Sequence, residues 1–379
     1  MQLTELQTES ANYMHGVRIA AVAKNRYMDL YTPSNLAVEK AKFLNGDTDA
    51  PDFAYPDILD GWSSALSDAL TKAREIEFPS VFSDLIEADL LHLMEEVKAF
   101  SSHKSFEIEK VRSARYPSPS EELLRAAREL IEVEQIDEKS VGQFDSATAV
   151  DLFNRAFEHL GIDNWAARVE PEMAARMSVN ASSGLVRIRN GIILAEPELR
   201  RLFVHELGTH VFRSINGGSH KLKVFATGTG AYTSTEEGFA VFNEQKAGLL
   251  ASADLRRYAL RVVAASLAKD HSFRDVFESI RGYTNDSEAF DIAIRSKRGM
   301  ADLEEPGADN KDCVYLSGWR DVSAAAESNP DISTVLMLGK FGLQHLELIQ
   351  GAIEAGYMDP DPVVSQEGAL RVVDELLAA

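Results

Sequence analysis

Residues 200–218 read RRLFVHELGTHVFRSINGG and decide the fold of the chain. Apolar residues recur in this stretch at steps of three and four positions, which is the period of an amphipathic helix. Pro197 suits the first turn of such a helix, and Asn216-Gly217 suits its C-terminal end. The stretch therefore predicts one long helix, and this helix carries the pattern H-E-x-x-x-H.

The two histidines of this pattern can bind one metal ion only if they share a face of the helix. In a regular α-helix, a separation of five residues places His205 and His210 about 140° apart. A local i→i+5 turn returns them to roughly the same face, and Gly208 between them eases the backbone distortion. We therefore predict a distorted helix in which His205 and His210 bind metal. The alternative is a regular helix with two hydrogen-bonded histidines.

A catalytic zinc site needs a third protein ligand and leaves one position to water. Glu237 is the first candidate, because TSTEEGFA (233–240) predicts a second acid-bearing helix, capped by Thr235. Glu236 and His220 are the alternatives, although His220 follows a glycine pair and fits an exposed loop. Glu206 lies next to a ligand, where its carboxylate can accept a proton from water that zinc activates. We predict one Zn²⁺ per chain.

Composition excludes several classes of function. The net charge of the 379-residue chain is -21, which opposes binding to nucleic acid and to anionic membranes. Cys313 is the single cysteine, so no intrachain disulfide can form and a reducing compartment is expected. The first residues, MQLTELQTES, show no signal-peptide pattern, and no apolar run approaches the length of a membrane span. A soluble cytoplasmic protein is expected, and its oligomeric state is left open.

The pattern along the chain predicts a mainly helical α+β fold. Residues 1–115 form an N-terminal helical region, which RYPSPSEELL separates from a catalytic domain with C-terminal helices at 116–379. The few strands include ARMSV and LVRIRNG, which read as a pair joined by the turn NASSG. The predicted fold is therefore helical with a small sheet just before the histidine helix.

Three separated segments resemble one known family. HELGTHVFRSING with TSTEEGFA closely resembles the HEIGTH and (T/Q)EGLA pattern of the tyrosine/phenylalanine carboxypeptidase-domain family, whose animal members are microtubule-associated tyrosine carboxypeptidases. YTPSNLAVEKAKFLNG with PDFAYP is similar to the family's N-terminal signature. AIRSKRGMADLEEPGADNKDCVYLSG is similar to its late RxxRG…KDxxYLxG segment. Phe239 replaces the family's usual leucine, and His220 stands where glutamine is more usual.

The resemblance implies a zincin-like core, zinc, and removal of an aromatic residue from the C-terminus of a peptide or protein. His205, His210 and Glu237 would be the ligands and Glu206 the general base. The chain's net charge of -21 matches an acidic tubulin tail poorly. We therefore expect this chain to share the family's reaction but not its tubulin substrate. A zinc endopeptidase and a non-catalytic binding protein on the same scaffold are the alternatives, and the intact Glu206 favours an enzyme.

A carboxypeptidase must bind the terminal carboxylate of its substrate, and arginine does so with two hydrogen bonds. IRSKRG offers Arg298 as first choice and Arg295 as second, unless both pair at the surface with acids such as Asp302 or Glu304. Two further candidates, on the predicted strand before the metal helix, are Arg187 and Arg189. Tyr315 is expected to donate a hydrogen bond to the oxyanion, with a packed core tyrosine as the alternative.

Overall fold

The described part of the chain is a mainly helical α+β structure with small sheets, as the sequence predicts. The structure, a computed structural model, describes residues 3–23, 30–57, 59–133, 142–171, 173 and 175–378. None of the helices in these ranges combines the length and the apolar composition required to cross a lipid bilayer. The predicted boundary between regions 1–115 and 116–379 stays a prediction.

The described residues before 133 form helices joined by loops. Ser80 starts the longest of these helices by accepting a hydrogen bond from the backbone N–H of Ser83, and His103 ends it in the left-handed conformation. Ser120, in the predicted Pro-rich break, caps the next helix but one through the backbone N–H of Leu123. The helices are α1 (Glu5–Ala23), α2 (Leu36–Asn45), α3 (Leu59–Arg74), α4 (Val81–Ser102), α5 (Ser105–Arg115) and α6 (Glu121–Glu132).

The predicted strand pair is present and belongs to a three-stranded sheet. In this sheet β4 lies in the middle, parallel to β2 and antiparallel to β3. Val186 and Ile188 of β4 are fully buried, so the arginines that alternate with them lie on the opposite face. A second sheet pairs β1 with β5. The strands are β1 (Phe144–Asp145), β2 (Ala166–Glu170), β3 (Met177–Asn180), β4 (Leu185–Arg189) and β5 (Ile193–Leu194), with α7 (Ser146–His159) after β1.

The long helix of residues 196–219 contains the predicted distortion. It begins as α8 (Glu196–Leu202), continues as a π-helix (Phe203–Val211) and ends as α9 (Phe212–Ser219). All nine residues of the π-helical segment are buried. The hydroxyl of Thr209 donates to the carbonyl of Val204, five residues earlier, at 3.0 Å. The i→i+5 backbone that the histidine spacing requires is therefore built into the centre of a buried helix.

The remaining chain is helical and packs around this segment. The helix that bears Glu237 begins at Thr233, so Thr235 is not its cap as predicted. Thr235 instead accepts a hydrogen bond from the backbone N–H of Leu343 at 2.9 Å. These helices are α10 (Thr233–Lys246), α11 (Ser252–Ala268), α12 (Phe273–Ile280), α13 (Asp286–Ser296), α14 (Val314–Ser328), α15 (Ile332–Met337), α16 (Leu346–Glu354) and α17 (Gln366–Ala378). Short 3₁₀ turns lie at Lys223–Ala226, Arg281–Tyr283, Asn310–Cys313 and Leu343–His345.

Two glycines bring α10 and α14 into backbone contact. A Cβ atom on Gly238 would overlap the backbone of Gly318, and one on Gly318 would overlap the carbonyl oxygen of Ser234. Both helices can approach this closely only because neither residue has a side chain. Gly238 follows Glu237 directly, so the contact also fixes the depth at which Glu237 enters the core.

We predict that Gly238→Ala lowers the free energy of unfolding by about 1–3 kcal/mol, because the new methyl group forces the two backbones apart. The same displacement should weaken metal binding through Glu237. Gly16→Ala is the matched control, since Gly16 also lies within a helix and a Cβ there meets no atom within 4 Å. Chemical denaturation of both variants measures the difference. Equal stability of the two variants would contradict a required glycine–glycine contact.

His15 makes stability depend on pH. Burial, together with the positive charges of Arg18 and Lys223, lowers the pKa of His15 from 6.5 to about 4. The unfolded chain therefore binds a proton more readily than the folded chain between these two values, and stability falls as the pH falls through this window. We predict that His15→Leu removes on the order of 3 kcal/mol of this acid sensitivity. Melting curves between pH 4 and pH 7 measure it, and parallel pH dependence in the variant and the wild type would contradict it.

Candidate metal centre

Two histidines and a glutamate meet at the contact between the π-helix and α10. The ligand atoms of His205, His210 and Glu237 all lie within 4.8 Å of one another. One carboxylate oxygen of Glu237 lies 3.4 Å from Nε2 of His205 and 3.5 Å from Nε2 of His210. The imidazole planes stand at 80° to each other, with ring centroids 4.8 Å apart. The π-helical turn thus brings together the pair that a regular helix would separate.

The far side of each imidazole is held by a second carboxylate. Nδ1 of His205 donates to Glu244 at 2.6 Å, and Nδ1 of His210 donates to Glu236 at 2.8 Å. With a proton fixed on each Nδ1, both Nε2 atoms have their lone pair free for a metal ion. Two imidazole nitrogens and a carboxylate oxygen form a ligand set typical of catalytic zinc. The side chains present therefore fit a divalent metal ion.

Buried cations in turn compensate these supporting carboxylates. Glu236 accepts hydrogen bonds from Arg213 and Lys340, and Glu244 accepts one from Arg201 at 2.9 Å. Burial alone would raise the pKa of Glu236, but the Lys340 and Arg213 charges hold that pKa far below its usual range. Glu236 therefore stays ionised and can orient His210 as a charged hydrogen-bond acceptor.

The two alternative ligands lie elsewhere. Glu236 supports His210 from behind, as described above. His220 is 3 % exposed, so the expected exposed loop is wrong at this position. Its Nε2 donates to the carbonyl of Leu338 at 2.8 Å, and its Nδ1 accepts the backbone N–H of Asp359 at 3.2 Å. His220 therefore joins α9 to the C-terminal segments and is outside the metal-binding group.

Glu206 is buried beside the histidines and faces a cavity of about 170 Å³. Burial and the charges of Glu237 and Glu244 raise the pKa of Glu206, against the opposing effect of His205 and His210. A carboxylate with a raised pKa is a better proton acceptor than an ordinary glutamate. The site therefore combines a group that could hold a metal ion with a basic carboxylate at its open side.

Arginines predominate among the charged residues that line the cavity, although the chain as a whole is acidic and each of these arginines lies near a carboxylate. Besides His205 and Glu206, its lining includes Tyr315 and the carboxylates of Glu288 and Asp291. Six guanidinium groups outnumber these acids, and two of them, Arg257 and Arg261, stand one helical turn apart on α11. The arginines are Arg176, Arg189, Arg201, Arg257, Arg261 and Arg295. Sequence reasoning missed four of them, because a helical arginine that turns inward has the same local pattern as one that turns outward.

The four predicted arginines occupy different positions. Arg295 lines the cavity, and so does Arg189, which pairs with Asp291 at 3.2 Å. Arg187 lies near Glu170, with 3.9 Å between nitrogen and oxygen, and does not belong to the cavity lining. Arg298 lies behind Arg295, outside the lining.

The acids expected to pair with the IRSKRG arginines differ from those found. Asp312, and neither Asp302 nor Glu304, pairs with both arginines, at 3.1 Å for Arg298. Arg295 and Arg298 are both buried, so the alternative of surface pairs with Asp302 or Glu304 is wrong. Arg295, which lines the cavity, is therefore part of a buried ion cluster, and this cluster fixes its orientation.

Tyr315 lies at the wall between the metal-binding group and the arginines. Its ring stacks on Tyr258 with centroids 5.2 Å apart, and its centroid lies 6.3 Å from that of His205. The guanidinium of Arg261 lies 4.6 Å from the ring centroid of Tyr315. Burial, followed by the nearby Glu237, raises the pKa of Tyr315 well above 10, so its hydroxyl keeps its proton at neutral pH.

Comparison with known proteins agrees with this geometry. The model of one family, described as microtubule-associated tyrosine carboxypeptidase, matches residues 42–370. The chain belongs to this family. The match includes the long helix, α10 and the 293–318 segment, so all three resembling blocks lie inside it or overlap it.

Curated relatives in the microtubule-associated tyrosine carboxypeptidase family are distant. The putative tyrosine carboxypeptidase MATCAP2 of Mus musculus is 26% identical over 262 residues, which cover 62% of this chain and 48% of the relative. The Homo sapiens protein of the same name is 28% identical over 195 residues, or 48% of this chain and 35% of the relative. The microtubule-associated tyrosine carboxypeptidase 1 of Mus musculus is 28% identical over 160 residues, or 40% and 33%. This chain therefore spans about half or less of each relative's length.

We predict that Glu237→Gln abolishes high-affinity zinc binding, whereas Glu236→Gln weakens it about 10–100-fold, because the first loses a ligand and the second loses the support of one. Titration of the metal-free protein with zinc and a competing chelator measures both constants. His220→Gln is the control and should bind zinc as tightly as the wild type. Loss of zinc in His220→Gln at unchanged stability, or normal affinity in Glu237→Gln, would contradict the ligand set.

Proposed function

We propose that the chain is a zinc-dependent carboxypeptidase with a zincin-like core, which removes a C-terminal residue from peptides or proteins. The carrying observation is the buried group of His205, His210 and Glu237, which adjoins Glu206 and a cavity lined by six arginines. A cavity with this excess of guanidinium groups can bind a chain terminus and stop the peptide there. That property favours an exopeptidase over an endopeptidase, and the intact Glu206 favours an enzyme over a binding protein.

His205, His210 and Glu237 would hold one Zn²⁺, which when bound lowers the pKa of water and polarises the scissile carbonyl. Glu206 accepts the proton of the attacking water. Its raised pKa suits this step, because a weakly basic carboxylate would return the proton before the bond breaks. The same carboxyl group then delivers the proton to the leaving amine.

Arg295 is the residue we propose for the terminal carboxylate of the substrate. It lines the cavity with His205 and Glu206, and a guanidinium group can hold a carboxylate through two parallel hydrogen bonds. Arg189 faces the same cavity from β4 and would contribute from the other wall. Arg298, which borders Arg295 through Asp312, would act indirectly, and Arg187, which does not line the cavity, has no role in this proposal.

Tyr315 is proposed as the donor to the oxyanion that forms when water attacks the scissile carbonyl. Its hydroxyl keeps its proton at neutral pH, which a donor requires. The stack with Tyr258 and the guanidinium of Arg261 over the ring restrict its movement. A donor fixed in advance stabilises the developing charge without a reorganisation cost.

A C-terminal tyrosine is the first substrate to test, because the relatives' names specify a tyrosine carboxypeptidase. The aromatic rings of Tyr258 and Tyr315 and the side chains of Met177 and Ile292 supply apolar wall for such a residue. With a net charge of -21, the chain would be repelled by a strongly acidic protein surface. We therefore propose tyrosine-terminated chains as substrates in the cytoplasm and do not extend the proposal to microtubules.

We predict that the zinc-loaded protein releases Tyr or Phe from a library of peptides with varied C-terminal residues. Glu206→Gln should keep its zinc and lose at least about 10²-fold in kcat, because the proton acceptor is gone. Mass spectrometry of the products and metal analysis of both proteins measure this. Cleavage at internal bonds would support an endopeptidase instead, and tight binding of peptides without any cleavage would support a binding protein.

A further inference from the structure

A chain of buried ion pairs joins the N-terminal helices α4 and α5 to Arg295, which lines the cavity. Glu96 of α4 and Arg112 of α5 are almost completely buried, and Nη1 of Arg112 donates to Glu96 at 2.6 Å. Nη2 of Arg112 donates to Asp309 at 3.2 Å, across 197 residues of sequence. Charged groups remain ionised in such a buried position only when each has a partner of opposite sign.

Asp309 is the junction of this chain. It is fully buried, and its carboxylate accepts the backbone N–H of Lys311 at 2.8 Å, which caps the 3₁₀ turn Asn310–Cys313. The second oxygen of the carboxylate lies 3.5 Å from Nη1 of Arg298. The backbone N–H of Asp309 donates to Ser296 at the end of α13 at 2.7 Å. Asp309 therefore links α5, the end of α13 and the turn that leads into α14 through its side chain and its backbone N–H together.

The next pair reaches the cavity. Asp312 lies in the turn that Asp309 caps, and it accepts hydrogen bonds from both Arg298 and Arg295. Asp309 supplies Arg298 with a second negative partner, so Asp312 shares its charge less with Arg298 and holds Arg295 more firmly. Tyr315 lies three residues later, in the first turn of α14, so the same turn also sets its position.

We propose that Asp309 is a positioning residue for Arg295, acting through Arg298 and Asp312, and that Arg112 keeps Asp309 in place. The proposal rests on the proposed function, because it gives Arg295 the terminal carboxylate of the substrate. It makes the N-terminal helices part of the catalytic unit. Without Arg112, the carboxylate that organises the substrate arginines loses its partner on α5.

Removal of the Asp309 charge has two opposing effects on an anionic ligand. By Coulomb's law alone, the loss of a nearby negative charge strengthens the binding of a carboxylate. Loss of position weakens it instead, because Arg298 then competes more strongly for Asp312, and Arg295 is held less firmly and presents its two donors less well. The sign of the change therefore separates a positioning role from a simple charge effect.

The test compares N-acetyltyrosine with N-acetyltyrosinamide, which lacks the carboxylate, by calorimetry on the zinc-loaded full chain. The wild type should prefer the acid, and Asp309→Asn should reduce that preference about tenfold while its affinity for the amide stays the same. With a tyrosine-terminated peptide, KM should rise while kcat stays within about twofold. An unchanged or increased preference for the acid in Asp309→Asn would overturn the proposal.

Two further variants keep the test interpretable. Arg112→Lys keeps the charge but replaces the two guanidinium nitrogens that bond Glu96 and Asp309 separately with a single nitrogen, and it should reduce the preference in the same direction. Arg274→Met is the control: Arg274 also joins the N-terminal region to a later helix, through the carbonyls of Asp49 and Thr48, but does not line the cavity. It should leave the preference unchanged, and an equal loss there would overturn the proposal.

The outcomes also separate this inference from the proposed function. A wild type that binds acid and amide equally well would remove the carboxylate role of Arg295 and, with it, the basis of the proposed exopeptidase. A wild type that prefers the acid, together with an Asp309→Asn variant that does so equally, leaves the proposed function intact and removes the role of Asp309 alone.

Discussion

The structure depends on one departure from regular helical geometry. Between Phe203 and Val211 the backbone has π-helical turns, and these turns place His205 and His210 on one face although five residues separate them. A π-helix is less favourable than an α-helix, so the surroundings must hold it. The burial of all nine residues and the packing of α17 provide that support; α17 approaches so closely that a Cβ on Gly208 would lie 3.2 Å from Ala369. Tertiary packing therefore offsets the unfavourable free energy of the π-helical backbone.

The second constraint is electrostatic. An acidic chain concentrates its buried cations around the candidate site: Arg201, Arg213 and Lys340 compensate the glutamates behind the histidines, and Arg295 and Arg298 share Asp312. Each of these charges would be costly to bury alone. Paired in this way, they hold side chains in fixed orientations, and fixed orientation is what a metal-binding group and a carboxylate-binding group both need.

The sequence predicted the features that depend on spacing along one element. The five-residue step between the histidines predicted the distorted helix, and TSTEEGFA predicted the helix that brings Glu237 to them. The roles of Glu244 and Glu236 were missed, although Glu244 lies two turns after Glu237 and so shares its face of α10. The cavity arginines of α11 and the partners of Arg295 depend on how distant segments pack. No local sequence pattern shows whether such a side chain points into the core or into solvent. The wrong prediction of an exposed loop at His220 has the same cause.

One element carries all three carboxylates of the metal centre. Glu237 and the two supporting glutamates, Glu236 and Glu244, belong to α10, whereas both imidazoles belong to the long helix. An ion held between them would add a cross-link between two helices that are already joined by packing and by pairs such as His205–Glu244 and Arg213–Glu236. Occupancy of the ion site would then be coupled to the packing of α10 against the long helix. The free energy of ion binding would contribute to the stability of the whole fold. Removal of the ion would therefore lower the stability of the fold as well as abolish the proposed catalysis.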